Sequence, residues 1–277
     1  MLTHSKGQKY VVEMTGVAWL DLLGYGSMLR EVEFDPTHPK AVAAVDRLRK
    51  FQQVAASFAT RTVRAMIIND GVAYVRELSP RGRVPTYEFL AQTYKAYRAV
   101  NQAEFGLDQI GARMIVAAGP RLRVPETQRP NLSHLKSIFN RVRKGVISSP
   151  QAIMEAANLT PLAGHYPSLQ ANFAFTKAYL ADVDGSRGGF TGPKCFIDSA
   201  FFNQIPGWIT SSKSVTWSTA GMHGTFLQID NMDMFAARQD YFPEVRDAVE
   251  IANSLNITYP VSVEGSTRSP VKLNDVS

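Results

Sequence analysis

Cysteine is nearly absent: Cys195 stands alone among 277 residues. An internal disulfide and a thiolate metal cage are therefore excluded, and a reducing, cytoplasmic setting is expected. Hard oxygen ligands remain as the route to a cation. Histidine is sparse too. His4, His38, His134, His165 and His223 show no metal-ligand spacing, and none pairs with Cys195 as a nucleophile would require. A Gly-x-Ser-x-Gly elbow is missing, which leaves hydrolase chemistry without support. No apolar run approaches the length of a bilayer span, and MLTHSKGQKY lacks a signal-peptide core, so no membrane partner is expected. Repeats and linkers are also lacking, and the expectation is a single domain over 1–277.

What is present in excess is positive charge. A formal net charge of +6 and a pI near 9.4 favour a polyanionic partner, either a nucleoside triphosphate or nucleic acid. The basic residues come in short groups (Arg81/Arg83, Arg121/Arg123, Arg141/Arg143/Lys144), which read as solvated loops and helix ends. Nucleic acid is accordingly the weaker of the two.

The pattern of elements alternates. An apolar strand at 17–23 precedes a helix from His38 to Thr60, with Pro39 in its first turn and an apolar stripe at Val42, Val45, Leu48, Phe51, Ala55 and Phe58. Strands at 63–69 and 71–77 flank Asn69-Asp70-Gly71, a strong hairpin signal. A helix then runs from Thr86 to Gly106, and a buried strand covers 112–118. PRLRVPETQRP (120–130) reads as a loop. Helical pieces follow at 131–144, 149–159 and 168–182. GSRGGFTGPK (185–194) lacks Walker spacing and reads as a flexible connector. Strands at 194–202, 213–217 and 224–229 and a helix at 243–255 complete the chain. This order implies α+β, an antiparallel or mixed sheet with helices on one face.

Two stretches carry the chemistry. In VAWLDLLGYG (17–26), Asp21 lies inside an apolar run, where a carboxylate is costly unless paired or holding a cation. Gly24 and Gly26 allow a tight turn with backbone N–H groups open to an anion. In AMIINDGVAYV (65–75), Asp70 sits at a hairpin tip. If the two strands are neighbours, Asp21 and Asp70 converge, and two carboxylates beside a phosphate-friendly turn suit a two-cation phosphoryl-transfer centre. The plainer alternatives are a strand-end cap for Asp21 and a simple turn for Asp70.

The ordered set of Asp in an apolar strand, long helix, and hairpin with Asp at its tip resembles the class III nucleotidyl cyclase catalytic domain, with its ferredoxin-like core. GARMIVAAGP (111–120) resembles that family's next strand, and LQANFAFTKAYLADVDGSR (169–187) its Asn-bearing helix. Over roughly 15–200 the pattern is most similar to the bacterial Pycsar pyrimidine cyclases of anti-phage defence. The resemblance implies metal binding by Asp21 and Asp70, with the Leu22 carbonyl as a further ligand for two Mg²⁺ or Mn²⁺ ions. It implies phosphate contacts from Leu23, Gly24, Tyr25 and Gly26, and a ribose-orienting role for Asn172. Where the family places Arg, this chain has Thr176, and Lys177 is the expected substitute cation. Purine cyclases read the base through Lys or Glu at the position of Met66 and through a second position aligned with His165. Methionine neither donates nor accepts as those do, so UTP, or alternatively CTP, is the expected substrate. The product would be cyclic UMP and pyrophosphate, read by a downstream effector. Composite sites imply a homodimer. A non-catalytic nucleotide sensor on the same fold is the alternative that Thr176 favours.

Overall fold

The computed structural model describes residues 11–123, 130–157, 168–219, 221–233 and 242–257. Seven strands form one sheet: β1 (Val11–Leu22), β2 (Arg64–Ile68), β3 (Gly71–Glu77), β4 (Ala112–Arg123), β5 (Cys195–Asp198), β6 (Ile209–Thr219) and β7 (Met222–Met232). Their order is β2-β3-β1-β4-β5-β7-β6. Every pairing is antiparallel except β4 with β5.

The helices are α1 (Tyr25–Arg30), α2 (Pro39–Ala56), α3 (Val84–Phe105), α4 (Pro130–Arg143), α5 (Ser149–Ala157), α6 (Phe173–Asp184) and α7 (Ala248–Ser254). α2 starts as its sequence requires: the His38 ring accepts a hydrogen bond from the Lys40 N–H, and Pro39 occupies the first turn, where its missing donor costs nothing. α7 opens with a reciprocal capping box between Asp247 and Glu250.

The α+β sheet with mixed strand directions is present as expected, but the helices divide between its two faces. Met14, Ala18, Leu20 and Leu22 of β1 join the core formed with α2, α3 and α7. Val17 and Trp19 point the other way, toward α6, Phe190 and the β6–β7 hairpin. The cause lies in the VAWL run, which is apolar on both alternating faces and so needs cover on both.

Two other expectations change. β4 continues through Pro120 to Arg123, paired with β1; on its other side β5 pairs only with Met114–Val116 and the Ala171 carbonyl takes the Leu122 N–H, so the missing donor of Pro120 between them is tolerated. Arg121 is therefore not a solvated loop residue: it is 3% exposed, facing Glu13 and Glu77. The glycine-rich 185–194 segment is no loose connector either. It forms a 3-10 turn over Gly185–Gly188, and Phe190 is fully buried edge-on against Phe196 and Phe226.

Candidate active site

Asp21 lies at the end of β1, in register with Gly71 of β3 on one side and Arg113 of β4 on the other. The hairpin tip is tied to this strand end. Leu22 N–H donates to the Asp70 carbonyl at 2.9 Å, and Leu23 N–H donates to the Gly111 carbonyl at 3.0 Å. Asn69 takes a left-handed conformation (φ 54°), its side-chain amide donates to Asp70 Oδ1 at 3.1 Å, and Gln52 of α2 donates to the Asn69 carbonyl. Gly71 is required by close approach, since a Cβ there would fall 2.1 Å from the Trp19 ring. β1, β3 and α2 together bring Asp70 to Asp21.

The electrostatics agree with that placement. Burial raises the Asp21 pKa from 3.8 to about 7, with Asp182 and then Asp70 adding repulsion against the pull of Arg113. Asp182, on α6, is already engaged. Its carboxylate takes Arg113 Nε at 2.6 Å and the Trp19 indole N–H at 3.2 Å, and burial still raises its pKa. Arg113 is held in turn by the Asp182 and Phe190 carbonyls. Three carboxylates thus influence one another with a single cation among them, and the cation is spent on Asp182. A divalent ion would relieve the surplus at Asp21 and Asp70. Among the described residues no group of three or more His, Cys, Asp or Glu side chains is placed to hold a metal. The donor set that fits is two carboxylates with the Leu22 carbonyl.

Beyond Leu22 the chain turns through Gly24 (φ 80°), which precedes α1. Arg47 braces this turn, donating to the Leu23 carbonyl at 2.9 Å while paired with Glu104 at 2.5 Å. Tyr25 is buried and anchors the helix. The expectation of a phosphate contact from the Leu23 N–H meets an obstacle, since Gly111 already accepts that proton. The N–H groups of Tyr25 and Gly26, at the start of α1, are the ones with no intrahelical partner.

The other expected residues lie elsewhere. Asn172 caps α6, 2% exposed: its Oδ1 accepts from Phe175 N–H and from Thr15 Oγ1, each at 3.1 Å, and its Nδ2 donates to the Ser168 carbonyl at 2.9 Å. Thr15 is six residues from Asp21 along β1, or roughly 20 Å at about 3.3 Å per residue. Asn172 and the aspartate pair of one chain are therefore not brought together. Lys177 is buried, with its Nζ 2.6 Å from Asp198 Oδ2 and beneath Gly224. Asp198 also accepts from Ala200 N–H. Lys177 lies near a cavity of about 390 Å³ that includes Phe173 and Arg246, and its charge is matched by Asp198. Met66 lies half-buried on β2, packed with Trp19 and Val75. His165 lies outside the described residues.

Sequence reasoning missed Arg113 and Asp182. A signal for Arg113 existed, a lone guanidinium in the apolar run of GARMIVAAG. Asp182 had none, because an acidic residue near a helix C-terminus usually faces water.

No protein-family model matches the sequence, and neither does any curated protein. Solved structures do match. The guanylyl cyclase Cya2 superposes with a TM-score of 0.51 over 83% of this chain and 98% of its own, at 13% identity. The guanylate cyclase domain of RhGC from Catenaria anguillulae in complex with GTP gives 0.40 over 79% and 97%, at 10% identity. A dimeric guanylyl cyclase domain of the RhoGC fusion protein from the aquatic fungus Blastocladiella emersonii gives 0.37 over 81% and 99%, at 13% identity. The likeness to Cya2 is one of fold, and the fold is that of a class III cyclase catalytic domain.

Proposed function

We propose that this protein is a pyrimidine nucleotide cyclase, converting UTP to 3′,5′-cyclic UMP and pyrophosphate as a second messenger in anti-phage defence. The observation that carries the reading is the meeting of Asp21 and Asp70 at the end of β1, beside the Gly24 turn, with Asp21 raised to about 7 partly by its carboxylate neighbours. The class III cyclase fold supports it. Asp21, Asp70 and the Leu22 carbonyl would hold Mg²⁺ or Mn²⁺. A bound divalent ion supplies activation of the ribose 3′-hydroxyl and neutralisation of the triphosphate. The 3′-oxygen then bonds the α-phosphorus, the α–β bridging bond breaks, and pyrophosphate leaves.

The choice of a pyrimidine rests on Met66, whose thioether lacks the hydrogen-bonding capacity of the Lys or Glu that reads a purine edge; CTP is the second candidate. The roughly 20 Å between Asn172 and Asp21 in one chain supports a homodimer in which each site takes its aspartates from one protomer and Asn172 from the other. No helix among the described residues is long and apolar enough to cross a membrane.

The test is direct: incubate the protein with each of the four nucleoside triphosphates and Mn²⁺ and identify products by mass. A cyclic pyrimidine monophosphate is expected, absent from Asp21→Ala and Asp70→Ala. A cyclic purine product would overturn the base assignment. A second reading, a non-catalytic nucleotide sensor, draws on the Lys177–Asp198 pair and Thr176, whose hydroxyl bonds the Asn172 carbonyl. Triphosphate binding without any product would favour it.

A further inference from the structure

One cation at the Asp21 end is kept from the carboxylate nearest to it in the sheet. Asp21 and Arg113 are direct partners across β1 and β4. Side chains at such positions leave the same face of the sheet with Cβ atoms about 4.5–5.5 Å apart, well within the reach of an arginine. A guanidinium next to a poorly solvated carboxylate ordinarily pairs with it. Arg113 does not. Its Nε donates to Asp182 Oδ1 at 2.6 Å, its Nη2 to the Asp182 carbonyl and its Nη1 to the Phe190 carbonyl, both at 2.9 Å. Among the described residues none of its hydrogen bonds or ion pairs goes to Asp21.

Two further features hold the guanidinium there. Asp182 is buried, and its second oxygen, Oδ2, accepts the Trp19 indole N–H at 3.2 Å. Trp19 stands two residues before Asp21 on the same face of β1, so the strand that carries Asp21 also fixes the group competing for Arg113. The glycine-rich segment after α6 supplies the remaining acceptor. Gly185 (φ 50°) turns the chain out of the helix, the Phe190 N–H donates back to the Gly185 carbonyl at 2.9 Å, and the Phe190 carbonyl then meets Arg113. Residues from β1, β4, α6 and that segment thus build one cage around a single cation. The cage leaves the Asp21 charge uncompensated, and a buried salt bridge by itself contributes little stability to set against that. A cation arriving from solvent at Asp21 and Asp70 makes the arrangement intelligible.

We propose that Asp182 is a positioning residue of the metal-binding end: by capturing Arg113 it keeps the Asp21 carboxylate open to a divalent ion. It acts through Arg113 and not by touching the ion. Without it, Arg113 swings to its cross-strand neighbour and supplies the charge that a metal would bring. This role rests on the reading that Asp21 and Asp70 hold a divalent ion, and experiment can separate the two.

The experiment pairs urea unfolding of the intact protein in EDTA at pH 8 with Mn²⁺ binding, read from the electron paramagnetic resonance of the free ion. In EDTA, Asp21→Asn should stabilise the wild type, because burial and neighbouring carboxylates disfavour that charge. In the Asp182→Asn background the same change should destabilise, since Asp21 has become the partner of Arg113. Mere loss of repulsion from Asp182 would shrink the first effect without reversing it, burial being the larger cause. Asp182→Asn should also weaken Mn²⁺ binding about tenfold or more. Asp182→Asn/Arg113→Met, with no cation left to compete, should bind Mn²⁺ as the wild type does, and Asp21→Asn should stabilise it again. Asp184→Asn, which removes a carboxylate two residues along α6, should bind as wild type. A sign that fails to reverse, wild-type Mn²⁺ affinity in Asp182→Asn, or an equal loss in Asp184→Asn overturns the role of Asp182 and leaves the metal assignment standing. Mn²⁺ binding that survives Asp21→Asn overturns the metal assignment, and this role with it.

Discussion

Replacing Asp21 with asparagine should stabilise the metal-free protein, and by an amount that depends on pH. In the fold the Asp21 carboxyl is raised from 3.8 to about 7, mainly by burial and then by Asp182 and Asp70. A raised carboxyl disfavours its charged form in the native state. The resulting destabilisation is absent below pH 4, grows as pH rises from 4 to 7, and is constant above that. At about 1.36 kcal/mol for each tenfold in proton affinity, that span amounts to about 4 kcal/mol, and partial solvation of the side chain makes about 2–4 kcal/mol a sound expectation. The amide of the Asp21→Asn variant never ionises, so urea unfolding in EDTA should show wild type and variant converging near pH 4 and separating by that margin at pH 8. Adding Mn²⁺ at pH 8 should raise the stability of the wild type and leave the variant unmoved. A variant less stable than wild type at pH 8 in EDTA, or a difference that does not change with pH, would refute the reasoning.

Arg113→Ala leaves Asp182 buried without its cation and should cost about 3–5 kcal/mol in urea unfolding; Arg113→Ala/Asp182→Ala should recover part of that loss. Gly71→Val places side-chain atoms inside the Trp19 ring, and a thermal melt should fall by about 2–5 °C, as for about 1–3 kcal/mol of overpacking in a chain of this length. Asn172→Ala removes the α6 cap and one of the two acceptors of the Thr15 hydroxyl, leaving it the Gly119 carbonyl, for about 1–2 kcal/mol. If the proposed sites are composite, mixing inactive Asp21→Ala with inactive Asn172→Ala should restore up to about a quarter of wild-type cyclase activity through random pairing of protomers. No restoration from a verified mixed dimer would argue that Asn172 acts only as a cap.

The elements legible in the sequence were those with a local cause. The Asn69–Gly71 turn and the His38–Pro39 helix start each appear where residue chemistry demanded them. Pairing of β1 with β3, which the sequence left as a condition for bringing the aspartates together, is present in the structure. What could not be read depends on partners distant in sequence. Arg121 is buried because Glu13 and Glu77 come alongside, and nothing in PRLRVP announces that. Lys177 reads as an available cation until Asp198 meets it from β5. Phe190 turns a glycine-rich stretch into packed core through rings supplied by β5 and β7.

The lone parallel pairing, β4 with β5, has a consequence for how the molecule is made. β2, β3, β1 and β4 arise from residues 11–123, all antiparallel neighbours, and can associate while the rest is still being synthesised. β5 must return across everything between Arg123 and Cys195, a long closure whose entropic cost delays its docking. Until it arrives, the Met114–Val116 edge of β4 is an open template for another nascent chain. Slower elongation past Arg123, or chaperone cover over that edge, would be expected to decide the yield of soluble protein.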